Sequence, residues 1–337
     1  MINFIQFITT RAFLAIITLL AVSFIVFALM ELVPANCAER YLAFKNTQGS
    51  NITVEDIEAE ERRLGLDRPF LVRWGTWVSN IVIKGDFGDS CILRVRINDL
   101  MKDKFFLSLG ICLTSLFFAY LIALPVGIIS ATTKFRSLDN TLKFISYLGL
   151  AMPNFLLALM IMLFSVIYFG DTMTGLFTPE YVNAPWSFDK FKNFLSRAWL
   201  PIFILGWSAT AFALQTVRAL ISDEYEKLYV VAAKARGISG MTLLWKYPAK
   251  HSLGPIINSL GFDLNRIFNE LPIVALILML TESGALLVES LARTNDQQLA
   301  GAIIILLTGT IIMLNFLTDV LLAVIDPRIR KGVMGGS

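Results

Sequence analysis

Six apolar blocks, at about residues 10–32, 105–133, 144–169, 199–220, 254–281 and 299–325, alternate with polar segments along this chain. Each exceeds the roughly 18 residues that a membrane span needs. The pattern therefore predicts an all-α polytopic membrane protein with six transmembrane helices. The first block follows Arg11 and runs without a charge from Ala12 to Met30. At 1.5 Å per residue that is enough to cross a hydrocarbon layer of about 30 Å. The sequence continues Glu31-Leu-Val-Pro34, with no small-x-small cleavage pattern, so the block reads as a retained span rather than a leader peptide.

Six crossings place both termini on one side. Lys134, Arg136 and Lys143 follow the second block, and Lys227, Lys234, Arg236, Lys246 and Lys250 follow the fourth, with Arg218 just before it. Arg328, Arg330 and Lys331 stand in the tail. Short basic loops of this kind stay in the cytoplasm, which puts both termini there. Loop 170–198, on the opposite side, also carries Lys190, Lys192 and Arg197 beside Asp171, Glu180 and Asp189; the assignment rests on the denser loops. The predicted organisation is an N-terminal span (1–33), an external insertion (34–103), a core membrane domain (104–325) with a cytoplasmic loop at 221–253, and a cytoplasmic tail (326–337).

The external insertion is polar and mixed in charge. Val54–Leu64 reads as an acidic amphipathic helix with Thr53 as its N-cap. Pro69–Ile83 reads as a second helix with Phe70, Trp74, Trp77 and Val78 on one face. Such a face suits the membrane interface or packing on the spans. Cys37 and Cys91 both fall in this insertion, where a disulfide can persist, and they are the pair expected to bond. Cys112 lies early in the second block and reads as packing. Asn51-Ile-Thr53 matches a glycosylation acceptor but is taken as chance.

Composition agrees with a membrane protein and narrows the chemistry. The 337 residues are 56% hydrophobic and 16% charged, with mean hydropathy +0.67; soluble domains carry about 25% charged residues. A net charge of +3 suits basic loops rather than a nucleic-acid surface. His251 is the only histidine, which almost excludes a His-based metal site or a Ser-His-Asp triad. The chain has no Gly-x-x-x-x-Gly-Lys-Ser/Thr phosphate loop and no nucleophile–base set. No catalytic residue, metal ligand or bound cofactor is assigned, and energy for any transport has to come from another chain.

Two constellations carry the functional reading. The first is Tyr229-Val-Val-Ala-Ala-Lys-Ala-Arg-Gly237, in the basic loop that runs on to Lys246, Pro248 and Pro255. Small residues there (Ala232, Ala233 and Gly237) let a partner approach closely. Gly237 permits a turn that a β-carbon hinders, and Lys234 and Arg236 can meet acidic groups. The alternative is a solvated loop. The second is Asp263, Arg266 and Glu270 in the fifth block, spaced i,i+3 and i,i+4 on one helix face and able to pair. Charges within the bilayer cost at least about 2.5 kcal/mol each. These three either line or gate a translocation path, or Arg266 is neutralised at a subunit interface. Asn315 and Asp319, late in the sixth block, read as helix-end or inter-helix contacts. An ion-gradient transporter is the rival reading of these acids, but it calls for inverted hydropathy repeats, which the blocks do not show.

Four segments in order resemble permease subunits of bacterial ATP-binding-cassette importers of the dipeptide/oligopeptide/nickel group. Leu64-Gly-Leu-Asp67-Arg-Pro69 with Gly85-Asp-Phe-Gly88-Asp-Ser90 is similar to that group's external signature. Gly149-Leu-Ala-Met-Pro153-Asn-Phe155 resembles its third-span pattern, Tyr229–Gly237 its cytoplasmic Glu-Ala-Ala-x-x-x-Gly motif, and Asp326-Pro-Arg-Ile-Arg330 its tail. The match covers nearly the whole chain. Val231 stands where the motif has glutamate, Ser283-Gly284 where a Pro-Gly-Leu-Gly turn is usual, and Ile277 where an acid is usual.

The resemblance implies a type I importer permease fold in a bacterial inner membrane. It implies a second homologous permease, an external substrate-binding protein and two cytoplasmic ATPases that hold ATP and Mg. It places Tyr229, Ala232, Ala233, Lys234, Arg236, Gly237, Lys246 and Pro248 in the loop that couples to those ATPases. A peptide is the implied substrate, with an oligosaccharide or other small solute as the alternative.

Overall fold

The computed structural model describes residues 2–47, 49, 53–170, 174–182 and 184–325. Among them the chain is helical, with one isolated antiparallel bridge between Asp89 and Arg96. The helices are α1 (Ile2–Leu32), α2 (Cys37–Thr47), α3 (Val54–Leu64), α4 (Phe70–Ser79), α5 (Ile97–Thr132), α6 (Arg136–Ala151) and α7 (Asn154–Phe169). There follow α8 (Pro179–Val182), α9 (Phe188–Tyr225), α10 (Leu228–Ala235), α11 (Gly240–Lys246), α12 (Pro248–Ile277), α13 (Ser283–Ala292) and α14 (Gln297–Ile325). The tail motif Asp326–Arg330, Asp171 and most of Asn51-Ile-Thr53 lie outside the described residues.

Four helices, α1, α5, α9 and α14, are long and apolar enough to cross a membrane. The block expected to form one continuous third span is broken: α6 and α7 meet at a 93° bend. Pro153 has no amide donor and disfavours helical backbone in the residue before it. Met152 accordingly sits extended at φ −96°, ψ 114°. Counting the bent pair as one span gives five. α12 is 30 residues long, but Asp263, Arg266 and Glu270 interrupt its apolar character.

The chain forms two compact units. The first comprises the described residues of Met1–Arg11, Leu109–Leu280 and Leu314–Ser337. Its centre is α9, which packs on α12 and α6. Small side chains allow this. Gly206, Ser208, Ala209, Ala211 and Ala213 are all buried on α9, and Ser259 and Gly261 on α12. A β-carbon at Gly127 of α5 lies 2.9 Å from Val217, and one at Gly149 of α6 lies 2.8 Å from the Ala211 Cβ. Asp139 of α6 accepts from Ser130 of α5 (2.6 Å) and from Arg218 of α9 (2.8 and 3.0 Å), and pairs with Lys143 (2.5 Å). Arg11 pairs with Asp319 at 3.4 Å, so Asp319 makes an inter-helix contact.

The second unit comprises Ala12–Ser108 and Thr281–Met313. Within it the aromatic face of α4 lies on α1. Phe70 and Trp74 meet Phe24 edge-on at 5.5 and 5.4 Å, and Trp77 meets Phe27 at 5.5 Å. α3 has the range expected, with Thr53 and Asp56 forming a reciprocal capping box. Cys37 is bonded to Cys91, with Cα atoms 5.3 Å apart. Buried Asp296 accepts from the Cys91, Ile92 and Leu299 amides at 3.2, 3.3 and 3.0 Å and from the Ser90 hydroxyl. It thereby fixes the end of the Gly85–Ser90 signature to the start of α14. Arg40 donates to the carbonyls of Pro34, Ala35 and Asn295. Ala35 and Asn295 are held at φ 64° and 50°, a left-handed conformation that non-glycine residues seldom adopt without such support. Glu282 caps α13, accepting from the amides of Gly284 (2.7 Å) and Ala285 (3.0 Å). Ser283-Gly284 is therefore a capped helix start.

Gly149→Val is expected to lower stability in detergent by about 1–3 kcal/mol, because the added atoms overpack the α6–α9 contact. Thermal unfolding followed by intrinsic fluorescence reads this. An unchanged midpoint contradicts the account of the helix contact.

Candidate functional site

The basic loop folds as a small body. After α9 the chain turns through Lys227, whose extended backbone (φ −67°, ψ 142°) starts α10. α10 ends in a Schellman motif. The Ile238 amide donates to the Ala233 carbonyl (3.2 Å), and the Gly237 amide to the Lys234 carbonyl (2.9 Å). Gly237 takes the left-handed position of this cap, at φ 84°. The spacing Ala-x-x-x-Gly is thus the spacing of a helix stop, with Ala233 at its first bonded carbonyl and the glycine four residues on. Ser239 then starts α11, and Tyr247-Pro248 leads into α12 with proline in its first turn.

Helices of 8 and 7 residues are marginal alone. These persist because they share a core of Val230, Ala233 and Leu243, against which Tyr225, Ile238 and Tyr247 pack. Burying a Val or Leu side chain stabilises by roughly 1.5–3 kcal/mol. Tyr229 packs between the Tyr247 and His251 rings at 6.2 and 4.9 Å. Lys234 lies over the Tyr225 ring at 5.1 Å, and Arg236 donates to the Tyr247 hydroxyl at 3.3 Å. The outside of the body carries Leu228 (86% exposed), Val231, Ala232, Met241 and Trp245, with the basic side chains of Lys234, Arg236 and Lys246.

This corrects the reading of the small residues. Ala233 is fully buried and Pro248 is buried as well, so neither offers surface to a partner. Ala232 and Gly237 are exposed. Sequence reasoning missed the core residues Tyr225, Val230, Ile238, Leu243 and Tyr247. The apolar spacing of Val230 and Ala233, and of Leu243 and Tyr247, was the available signal.

The mid-helix charges of α12 form no ion pair with one another within 4 Å, although Arg266 is near enough to act on both acids through space. Each is held by another helix of the same unit. Fully buried Asp263 accepts from the Tyr120 hydroxyl of α5 at 2.7 Å, and that hydroxyl lies 2.8 Å from Ser259. Arg266 donates to the Ser208 carbonyl of α9 at 3.4 Å and stacks over the Phe212 ring at 4.5 Å. Asn154, immediately after the bend at Pro153, donates to Ser208 at 3.1 Å and bonds Glu270. Asp263 Oδ1 and Glu270 Oε2 are buried without a hydrogen-bond partner among the described residues. Asn315 abuts Gly261, where a β-carbon falls 2.8 Å from its side-chain oxygen.

Residues 123–331 match the family described as binding-protein-dependent transport system inner membrane component. The chain belongs to that family. Residues 4–94 match the N-terminal region of the same kind of membrane component. The loop body and the α12 charges lie in the first match, and the disulfide lies in the second. The family is a transport permease of the inner membrane rather than an enzyme, and the chain is a multi-pass membrane protein of that kind. Among its relatives, the oligopeptide transport system permease protein AppB of Bacillus subtilis (strain 168) is 26% identical over 96% of this chain and 99% of its own length. The glutathione transport system permease protein GsiC of Escherichia coli (strain K12) is 27% identical over 93% of this chain and 95% of its own. The putrescine export system permease protein SapB of Escherichia coli (strain K12) is 26% identical over 77% and 86%. The fold resembles that of a chain in the inward-facing MetNI methionine ABC transporter, with TM-score 0.54 and 17% identity over 67% of this chain and 96% of that one.

In this permease Ala233→Leu is expected to break the loop core while Ala232→Leu leaves it intact. Limited proteolysis of the loop reads the difference. Equal protease resistance of the two variants contradicts the assignment of inside and outside.

Proposed function

We propose that this chain is the translocation subunit of an ATP-driven importer for peptides. It pairs with a second permease and takes substrate from a soluble external binding protein. In this reading the chain crosses six times: α12 and the bent α6–α7 pair each count as a span. Residues 34–103 form an external insertion, and both termini are cytoplasmic. The oligopeptide and glutathione relatives support a peptide substrate.

The observation that carries the proposal is the folded α10–Gly237–α11 body joining α9 to α12. Two cytoplasmic ATPases, which hold ATP and Mg, bind its exposed side chains. Their closure moves the body as one piece, because its core is packed. α9 and α12 continue from it directly and carry the movement to Asp263, Arg266 and Glu270, which line or gate the path. The two arrangements are the states of a switch biased at a distance.

A small cationic solute is the second reading. Asp263 Oδ1 and Glu270 Oε2, closed off in this conformation, become acceptors for an amine when the path opens, and one relative is named for putrescine export. Mass-spectrometric identification of the ligand on the cognate binding protein separates the two readings.

Gly237→Val tests the coupling. A β-carbon there meets nothing within 4 Å, so the membrane fold has room for it. A left-handed backbone costs an L-residue roughly 1–2 kcal/mol, so the cap loosens. The expected result in proteoliposomes is ATP hydrolysis that continues while solute uptake falls at least about tenfold. Unchanged uptake per ATP overturns the proposal.

A further inference from the structure

A cavity of about 620 Å³ in the second unit is not used by the transport reading. The end of α1 (Phe27, Met30, Glu31), the bonded Cys37 and Cys91, the turn after α3, and Arg73 and Trp77 of α4 line it. Four arginines, Arg62, Arg63, Arg68 and Arg73, face one carboxylate, Glu31, among the lining residues. Arg73 is fixed to Glu31 by two bonds of 2.7 and 2.6 Å. Arg63 is held by Glu60 at 2.9 Å, and Arg63 and Arg94 hold that carboxyl below its ordinary pKa. Arg62 and Arg68 take part in none of the ion pairs found among the described residues. The Trp77 Nε1 donor, in the same wall, is buried and has no hydrogen-bond partner.

Leu64, Gly65, Leu66 and Arg68 of the Leu64–Pro69 signature form part of the wall. Gly65 ends α3 at φ 67°, with the Leu66 amide donating to the Glu61 carbonyl at 2.9 Å. A β-carbon at Gly65 comes 3.6 Å from Arg68 Nε, so the Arg68 side chain lies folded across the turn. The Arg68 carbonyl accepts from Arg73 Nε at 3.0 Å. The basic concavity is therefore built by the end of α3 (Arg62, Arg63), the signature turn (Arg68) and α4 (Arg73) together.

The depth of the cavity identifies its ligand. The uncharged run from Ala12 to Met30 has 19 residues, roughly 28 Å of helix, which matches the hydrocarbon thickness. Glu31 and the cavity beside it then stand at headgroup level, with Phe27 and Met30 as an apolar floor and Trp77 at the depth that tryptophans favour. Guanidinium groups bind phosphate oxygens as paired donors. We propose that this cavity holds the phosphate of an anionic phospholipid headgroup, bound by Arg62 and Arg68, so that the segment between α1 and α5 is seated on a lipid.

Native mass spectrometry of the full chain in detergent tests this, with phosphatidylglycerol, phosphatidylcholine and inorganic phosphate added separately. Phosphatidylglycerol is expected to be retained at least about tenfold better than phosphatidylcholine, since the latter's phosphate comes with a quaternary ammonium that the arginines repel. Arg62→Ala with Arg68→Ala is expected to abolish that preference, and Arg62→Lys with Arg68→Lys to keep most of it. The Cys37–Cys91 bond, read by non-reducing mobility, reports that each variant is folded. Equal retention of the two lipids, or a preference untouched by the double alanine variant, overturns the proposal. Inorganic phosphate binding without lipid preference also overturns it, by assigning the cavity to a free anion. None of these readouts involves transport, so they stand apart from the importer reading.

Discussion

Helices inside a bilayer gain little by hiding apolar surface from one another, because lipid is as apolar as they are. They hold together where their backbones approach closely and where polar groups find partners. The first unit depends on this constraint. α9 accepts neighbours because its contacts are glycine, alanine and serine, and Gly127 and Gly149 have no room for a β-carbon. The polar groups left inside are then bonded between helices rather than along them: Asp263 to Tyr120, Asn154 to Ser208, and Asp139 to Arg218. Burying a charge or an amide in such a place is costly unless it is paired, so these contacts also fix the register of the helices.

Outside the spans the constraint changes, and so do the devices. The loop between α9 and α12 is too short for stable helices of its own and is held by a six-residue core and a Schellman cap. In the second unit the segments between α1 and α5 pack the aromatic face of α4 on α1. They are further tied by the Cys37–Cys91 bond, by Arg40 spanning two left-handed residues, and by Asp296 gathering amides at the start of α14. A cross-link closing 54 residues of sequence restricts the unfolded chain by several kcal/mol in the loop-entropy picture.

Much of this was legible in the sequence, for identifiable reasons. α1, α5 and α14 come from uninterrupted apolar runs, and α3 from a cap followed by an acidic first turn. The break between α6 and α7 was less legible, since apolar residues on both sides of Pro153 masked its effect. The spacing of Asp263, Arg266 and Glu270 suggested mutual pairing, but a shared helix face is also a face shared with neighbours. Tyr120, Ser208 and Phe212 lie far away in sequence. Which of two adjacent alanines faces inward depends on where α11 folds back, and no local pattern states that. The contacts of Arg40 with Asn295 and of Asp296 with Cys91 join residues more than 200 positions apart and have no local signature.

The central claim is that the α10–α11 body presents its outer residues to a cytoplasmic ATPase. Single cysteines with a membrane-impermeant maleimide test it directly. The native background is low, because Cys37 and Cys91 are bonded and Cys112 is buried. Ala232→Cys is expected to label in inverted membrane vesicles and not in intact cells, and to lose that labelling when the ATPase subunits are assembled. Labelling of Ala232→Cys from outside intact cells, or labelling indifferent to the ATPases, contradicts the account.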